Sequence, residues 1–89
     1  MSWLGLEGKT AVITGAGGGI GQGLARAFAA EGVRVVLLDR DEAQTASLAA
    51  ELGMGSFSLK CDVSRADDVA AAAEEVEAQG GADILINNA

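Results

Sequence analysis

Residues 14–21 read TGAGGGIG, Thr14 through Gly21, with five glycines in eight positions. The apolar run Ala11-Val12-Ile13 precedes them, and a stretch rich in Ala and Leu follows. Glycine lowers the stability of strand and helix interiors, so a cluster at the junction of the two suggests a backbone shaped for close approach. No frame of the stretch satisfies the glycine fingerprint G-x-G-x-x-G. Gly15, Gly19 and Gly21 instead give G-x-x-x-G-x-G.

Outward from this loop the chain alternates regularly. Thr10 to Thr14 is a short β-branched run fit for a strand, and Ile20 to Glu31 repeats apolar residues at helical spacing: Ile20, Leu24, Ala27 and Phe28. Gly32 ends that helix. Val33 to Asp39 is nearly continuous in apolar residues, as suits a strand covered on both faces. Asp41 then caps a helix with Gln44 in the capping-box position, and its apolar positions are Ala43, Leu48, Ala49 and Leu52, before Gly53 and Gly55 break it. From Phe57 to Cys61, apolar and polar residues alternate, which points Cys61 into a core and makes it a structural thiol. Ser64 with Asp67 forms another capping box, ahead of a helix whose stripe is Val69, Ala72, Ala73 and Val76 and which Gly80 and Gly81 close. Asp83 to Asn87 reads as a last buried strand.

Composition bounds what this pattern can be. Eighty-nine residues make at most one small domain, which buries roughly 60–65% of its unfolded surface. Residues 1–89 are therefore read as a single, partial domain. Cys61 is the only cysteine and there is no His, so the chain holds no disulfide framework and no Cys/His metal site. A lone thiol fits a reducing cytoplasm. The N-terminus lacks the basic flank and apolar core of a signal peptide. No apolar run approaches the roughly 20 residues of a membrane span. The formal charge of -7, from thirteen acids against six bases, argues against nucleic acid, which calls for clustered Lys and Arg. Scattered as they are over helical surfaces, the acids read as solvated faces.

The order β-α-β-α-β-α-β, with every crossover long enough for a helix, implies parallel strands. Right-handed crossovers favour a doubly wound α/β sheet in the order 3-2-1-4, with the third helix on the opposite face from the first two. The reversal between strands 1 and 4 opens a crevice beyond their carboxyl ends, where open α/β sheets bind ligands. Both the glycine loop and Asn87-Asn88 emerge there. A helix N-terminus near Ile20 would offer unpaired N–H groups and the positive end of the macrodipole to a pyrophosphate. Taken alone, the loop also reads as a turn that only lets helix and strand pack. Asp39, eighteen residues after Gly21, is placed to accept hydrogen bonds from an adenosine ribose. By itself it could equally be a solvated strand end, but the two features together favour the dinucleotide reading.

TGAGGGIG after a first strand, Asp39 after the second, Asp62-Val63 after the third and Asn87-Asn88-Ala89 after the fourth resemble the short-chain dehydrogenase/reductase family. The resemblance spans nearly the whole chain and implies a Rossmann-type fold and a nicotinamide coenzyme. It implies that Gly15, Gly19 and Gly21 form the phosphate-side turn, with Gly18 and Ile20 contacting the coenzyme through their backbone. It further implies that Asp39 holds the adenosine ribose, that Asp62 and Val63 meet the adenine, and that Asn88 lies near the ribose on the nicotinamide side. Asp62 alone also reads as a turn residue beside Ser64, and Asn87 is expected to steady the central strands. NAD is expected over NADP, because Asp39 would repel a 2'-phosphate and Gly18 stands where NADP-preferring relatives often carry Arg or Lys. Arg40 is the contrary signal.

Family members are much longer, and their NNAG motif is cut here after Ala89. Their catalytic Ser, Tyr-x-x-x-Lys pair and further Asn have no counterpart in this chain, which contains no Tyr at all. The chain is thus expected to be the coenzyme-binding half of an oxidoreductase, truncated after the fourth strand and inactive alone, with no catalytic residue of its own. The complete protein is expected to be a homo-oligomer acting on a small-molecule substrate. The alternative is a stand-alone nucleotide-binding or interaction module. For the isolated chain, the expectation is a bare strand edge and a partly bare sheet face.

Overall fold

The computed structural model describes residues 5–88. Its elements are β1 (Thr10–Thr14), α1 (Gly19–Ala30), β2 (Arg34–Asp39), α2 (Glu42–Leu52), β3 (Phe57–Lys60), α3 (Ala66–Ala78) and β4 (Ile84–Asn87). The strands form one sheet in the order β3-β2-β1-β4, every neighbouring pair parallel. This is the doubly wound order that the crossover rule requires.

Strand periodicity divides the core into two layers. Ala11, Ile13, Val35 and Leu37 face one side and pack with Ala25 of α1 and with Leu48 and Ala49 of α2. Val12, Val36 and Leu38 face the other and pack with Cys61 and with Ala72 and Val76 of α3. Val35, Val36 and Leu37 are fully buried, and each such side chain contributes about 1.5–3 kcal/mol. The near-continuous apolar character of β2 follows from this burial on both faces.

The helices keep the expected spans within a residue or two, but their buried faces are rotated from the sequence reading. In α1 the buried residues are Gly21 and Ala25, flanked by Leu24 and Phe28, whereas Ala27 is exposed and Ile20 is 74% exposed. In α2, Thr45 lies in the core and Ala43 does not. In α3, Ala72 and Val76 are buried while Val69 and Ala73 are exposed. Spacing shows which residues share a face; the neighbouring strand decides which edge of that face is covered.

Both capping boxes are corrected. The Asp41 carboxylate does accept the Ala43 N–H, but the Asp41 N–H is given to Asp39 Oδ1 at 2.9 Å and not to Gln44. At α3 the N-cap is Arg65, and Ser64 is drawn instead into a turn on Asp62. Asp67 and Asp68 still complement the positive end of α3. At the other end of the sheet, Arg34 donates to Thr10 Oγ1 and to the Gln79 carbonyl, and stacks on Phe57 at 5.6 Å. It thereby satisfies an end of α3 that carries no basic residue in its last turn.

Among the described residues β4 has the bare edge and partly bare face expected of the isolated chain, and it is buried on one side only. Ile84 and Ile86 pack on the α1 side, but Leu85 faces the other side and is 68% exposed. Between α3 and β4 an apolar groove of about 400 Å³ remains open, lined by Val12, Leu38, Val69, Val76 and Leu85 among others. Among the described residues no strand pairs with the outer edge of β4. Open edges template pairing with other chains, and bare apolar surface promotes association. The isolated 89-residue chain is therefore expected to self-associate or to melt without cooperativity. Sedimentation and thermal melting at high concentration test this, and a cooperatively melting monomer would contradict it.

Candidate functional site

The glycine loop leaves β1 at its carboxyl end and turns directly into α1. Gly15 has φ 63°, a conformation that L side chains rarely adopt. Gly21 needs glycine for a different reason: a Cβ there would stand 2.5 Å from the Gly15 carbonyl oxygen and 2.8 Å from the Ala16 Cα. Helix and loop touch backbone to backbone at that point. At Gly19, in contrast, a Cβ would meet nothing within 4 Å. Gly18 is the N-cap, in extended conformation, without a side-chain capping bond, and the first turn of α1 holds no acid. Among the described residues the positive end of the helix thus has no side-chain cap and no acid in its own first turn.

Asp39 closes the loop from the side of β2. Its Oδ2 accepts the Gly17 N–H at 2.8 Å, and its Oδ1 accepts the Asp41 N–H at 2.9 Å. The Gly17 carbonyl is held in turn by Gln22 Nε2 at 2.8 Å. An ionised carboxylate has about four acceptor sites, so the two bonds leave room for two more donors.

Beyond β3, Asp62 Oδ1 accepts both the Ser64 hydroxyl at 2.6 Å and the Ser64 N–H at 3.0 Å. These bonds hold the Asp62 carboxyl below the usual carboxylate range, with burial opposing and Arg40 and Arg65 assisting. The turn reading of its side chain is therefore the one the geometry displays. Gly15, Asp39, Arg40, Asp62, Val63 and Ser64 surround a cavity of about 410 Å³ with Cys61 at its base. Cys61 is 2% exposed. Burial, then the Asp68 and Asp62 carboxylates, push its thiol up, so it stays protonated at neutral pH as a packing residue.

The fourth strand brings Asn88 to the loop: its Nδ2 donates to the Gly15 carbonyl at 3.2 Å, and its N–H donates to Thr14 Oγ1 at 3.0 Å. The Thr14 hydroxyl faces Asn87 Oδ1 at 3.2 Å, which joins β1 to β4 as expected of Asn87. Ala89 lies outside the described residues.

The structure thus gathers Gly15, Asp39, Asp62 and Val63 around one cavity and sets Gly21 and Asn88 against Gly15. Gly18, Gly19 and Ile20 stand exposed at the start of α1, apart from that cavity. Sequence reasoning missed Gln22 and Gly17, which no local pattern distinguishes, and Thr14, whose place before the first glycine was the available signal.

The family model of the short chain dehydrogenases matches residues 9–89. The chain belongs to that family. Among curated relatives, galactitol 2-dehydrogenase of Agrobacterium fabrum is 45% identical over 85 residues, covering 94% of this chain and 33% of that protein. Momilactone A synthase of Oryza sativa is 48% identical over 86 residues, covering 94% of this chain and 31% of that protein. Among solved structures, L-sorbose reductase from Gluconobacter frateurii, complexed with NADPH and L-sorbose, aligns with TM-score 0.90 at 41% identity. That alignment covers 96% of this chain and 34% of the other. The 3-ketoacyl-(acyl-carrier-protein) reductase from Brucella melitensis, complexed with NADH, aligns with TM-score 0.84 at 46% identity over 90% of this chain and 33% of the other. This short-chain dehydrogenase chain therefore spans about one third of the length of the relatives it matches. Among its described residues no helix is long and apolar enough to cross a membrane.

Proposed function

We propose that residues 1–89 are a single dinucleotide-binding domain and supply the NAD site of an oxidoreductase acting on a hydroxyl or carbonyl substrate. One observation carries this reading: Asp39 is fixed by the Gly17 N–H at the mouth of a cavity, next to a helix N-terminus that has no capping side chain. The loop fits a pyrophosphate, because the space at Gly19 is left open by the protein and the helix dipole favours an anion there. In this reading Gly15, Gly19 and Gly21 form the phosphate-side turn, and Gly18 and Ile20 contribute backbone contacts. Asp39 accepts from the adenosine ribose diol. Asp62 and Val63 flank the adenine, and Asn88 stands toward the nicotinamide-side ribose.

NAD, when bound, supplies the hydride acceptor. The chain's own residues bind and orient it, and with no Tyr or His among them the proton donor to the substrate comes from outside these residues. NAD is preferred over NADP, since an NADP 2'-phosphate would meet the Asp39 carboxylate. The small-molecule substrate, the homo-oligomeric state and the cytoplasmic location belong to the same proposal and rest on family membership and on the lone buried thiol.

Calorimetric titration with NAD and NADP tests the reading, with tighter binding of NAD expected. Equal or tighter NADP binding overturns the coenzyme choice, and binding of neither overturns the site. In the reading frame beyond Ala89, a glycine and a downstream Tyr-x-x-x-Lys are expected.

A further inference from the structure

The ladder between β2 and β3 runs one bond past the end of β3, where the Cys61 N–H donates to the Asp39 carbonyl at 2.9 Å. Asp62 is the first residue beyond it. Its N–H is taken by Asp68 Oδ2 at 3.0 Å, from the first turn of α3. In a capping box the third helical residue reaches back to the N-cap N–H. Asp68 is the third residue of α3, but it reaches past the N-cap Arg65 to Asp62. The Cys61 carbonyl, the other half of the same peptide group, has no partner among the described residues. Asp68 is therefore what holds that peptide.

The turn that follows is closed on itself. The Asp62 carbonyl accepts the Arg65 N–H at 2.9 Å, and Asp62 Oδ1 accepts the Ser64 N–H and hydroxyl. Residues 62–65 thus form one unit, and the Cys61–Asp62 peptide is the hinge by which it leaves the sheet. Among the described residues, Asp62 Oδ2 and the Val63 N–H have no partner, and both residues line the cavity at Asp39. A carboxylate acceptor with a backbone donor one residue away complements the edge of adenine, whose exocyclic amino group donates and whose neighbouring ring nitrogen accepts.

We propose that Asp68 is a positioning residue for adenine: it holds the 62–65 turn at its hinge, and so decides how sharply an aminopurine is told from an oxopurine. The proposal rests on the reading above that Asp62 and Val63 flank the adenine. Without the Asp68 acceptor the turn keeps its internal bonds but swings on the Cys61–Asp62 peptide, and its free acceptor and donor no longer meet the base together.

The test compares affinities for NAD and for its deaminated analogue, nicotinamide hypoxanthine dinucleotide, in the full chain and in its Asp68→Ala and Asp68→Asn variants. The analogue presents a carbonyl to Asp62 where NAD presents an amino group. Both variants remove the charge of Asp68, but Asn keeps an acceptor oxygen for the Asp62 N–H. The unmutated chain is expected to prefer NAD; the preference is expected to fall about fivefold, the worth of one ordinary hydrogen bond, in Asp68→Ala and to return in Asp68→Asn. The NAD-to-NADP ratio, which is read at Asp39, is expected to stay constant in both. Far-UV circular dichroism checks folding, and should Asp68→Ala not fold, Asp68→Leu gives the same reading. An unchanged preference in Asp68→Ala, or an equal fall in Asp68→Asn, overturns the proposal and leaves the NAD site standing. No preference for NAD over the analogue in the unmutated chain overturns the adenine reading and the role of Asp68 with it.

Discussion

Gly21→Val is expected to damage fold and binding together, whereas Gly19→Val is expected to damage binding alone. At Gly21 the first side-chain atom already falls 2.5 Å from the Gly15 carbonyl oxygen and 2.8 Å from the Ala16 Cα, with Asn88 Nδ2 at 3.1 Å. Two of these three are backbone and cannot rotate away, so α1 must separate from the loop. Overpacking of this kind costs roughly 2–4 kcal/mol. In a domain of this size that lowers the melting temperature by about 10 °C or more. Gly19 has no atom within 4 Å of its Cβ position and no positive φ, so a valine there meets no clash, and helix propensity does not count against it relative to glycine. Dinucleotide affinity should nevertheless fall by at least about tenfold in both variants, roughly 1.4 kcal/mol. Thermal melting beside coenzyme titration separates the two effects. Undiminished binding by Gly19→Val would mean that the open space at the start of α1 is not where the pyrophosphate sits.

Asp39→Ser should relax coenzyme choice, and for two reasons. Removing the carboxylate abolishes its repulsion of a 2'-phosphate and its charge-assisted bonds to a ribose diol, each worth about 1.5–3 kcal/mol. It also releases the Gly17 and Asp41 N–H groups, which the carboxylate holds at 2.8 and 2.9 Å. The NAD-to-NADP affinity ratio is expected to drop by at least about tenfold, chiefly through loss of NAD affinity, and Asp39→Ala should behave alike. Competitive titration with the two coenzymes measures the ratio. If it does not change, Asp39 braces the loop without reading the ribose.

What was legible in the sequence was local. The punctuation by Gly32, Gly53 and Gly80 set the element spans, with positive φ at all three. The lengths of the crossovers, through the handedness rule, set the strand order. Asp39 could be picked out because it ends an apolar strand. Interactions that depend on the meeting of distant or featureless segments were not legible. Ser64 has the spacing of a cap, yet Asp62 two residues earlier captures both its N–H and its hydroxyl. Ile20 fits the helical stripe, but it lies at the first turn, where no strand reaches it, and stays exposed. Gly21 has no positive φ; its constraint is the approach of a second piece of backbone, the Gly15 carbonyl, which no spacing along the chain shows. Gln22 carried no signal, because a glutamine on a first helical turn is an ordinary solvated residue until the loop beside it is placed.

The bonds from Asn88 to Gly15 and Thr14 span 73 and 74 residues of chain. β1 lies at the centre of the sheet, and only one of its two neighbours, β2, is close in sequence. Loop-closure entropy grows with the length of chain enclosed, so β1, α1 and β2 can associate early while the Asn88 clasp on the glycine loop must form late. On a ribosome, where residues emerge in order, the loop waits unclasped until the residues of β4 have left the exit tunnel. A ligand that favours the clasped loop would then also hold β4 in place by mass action.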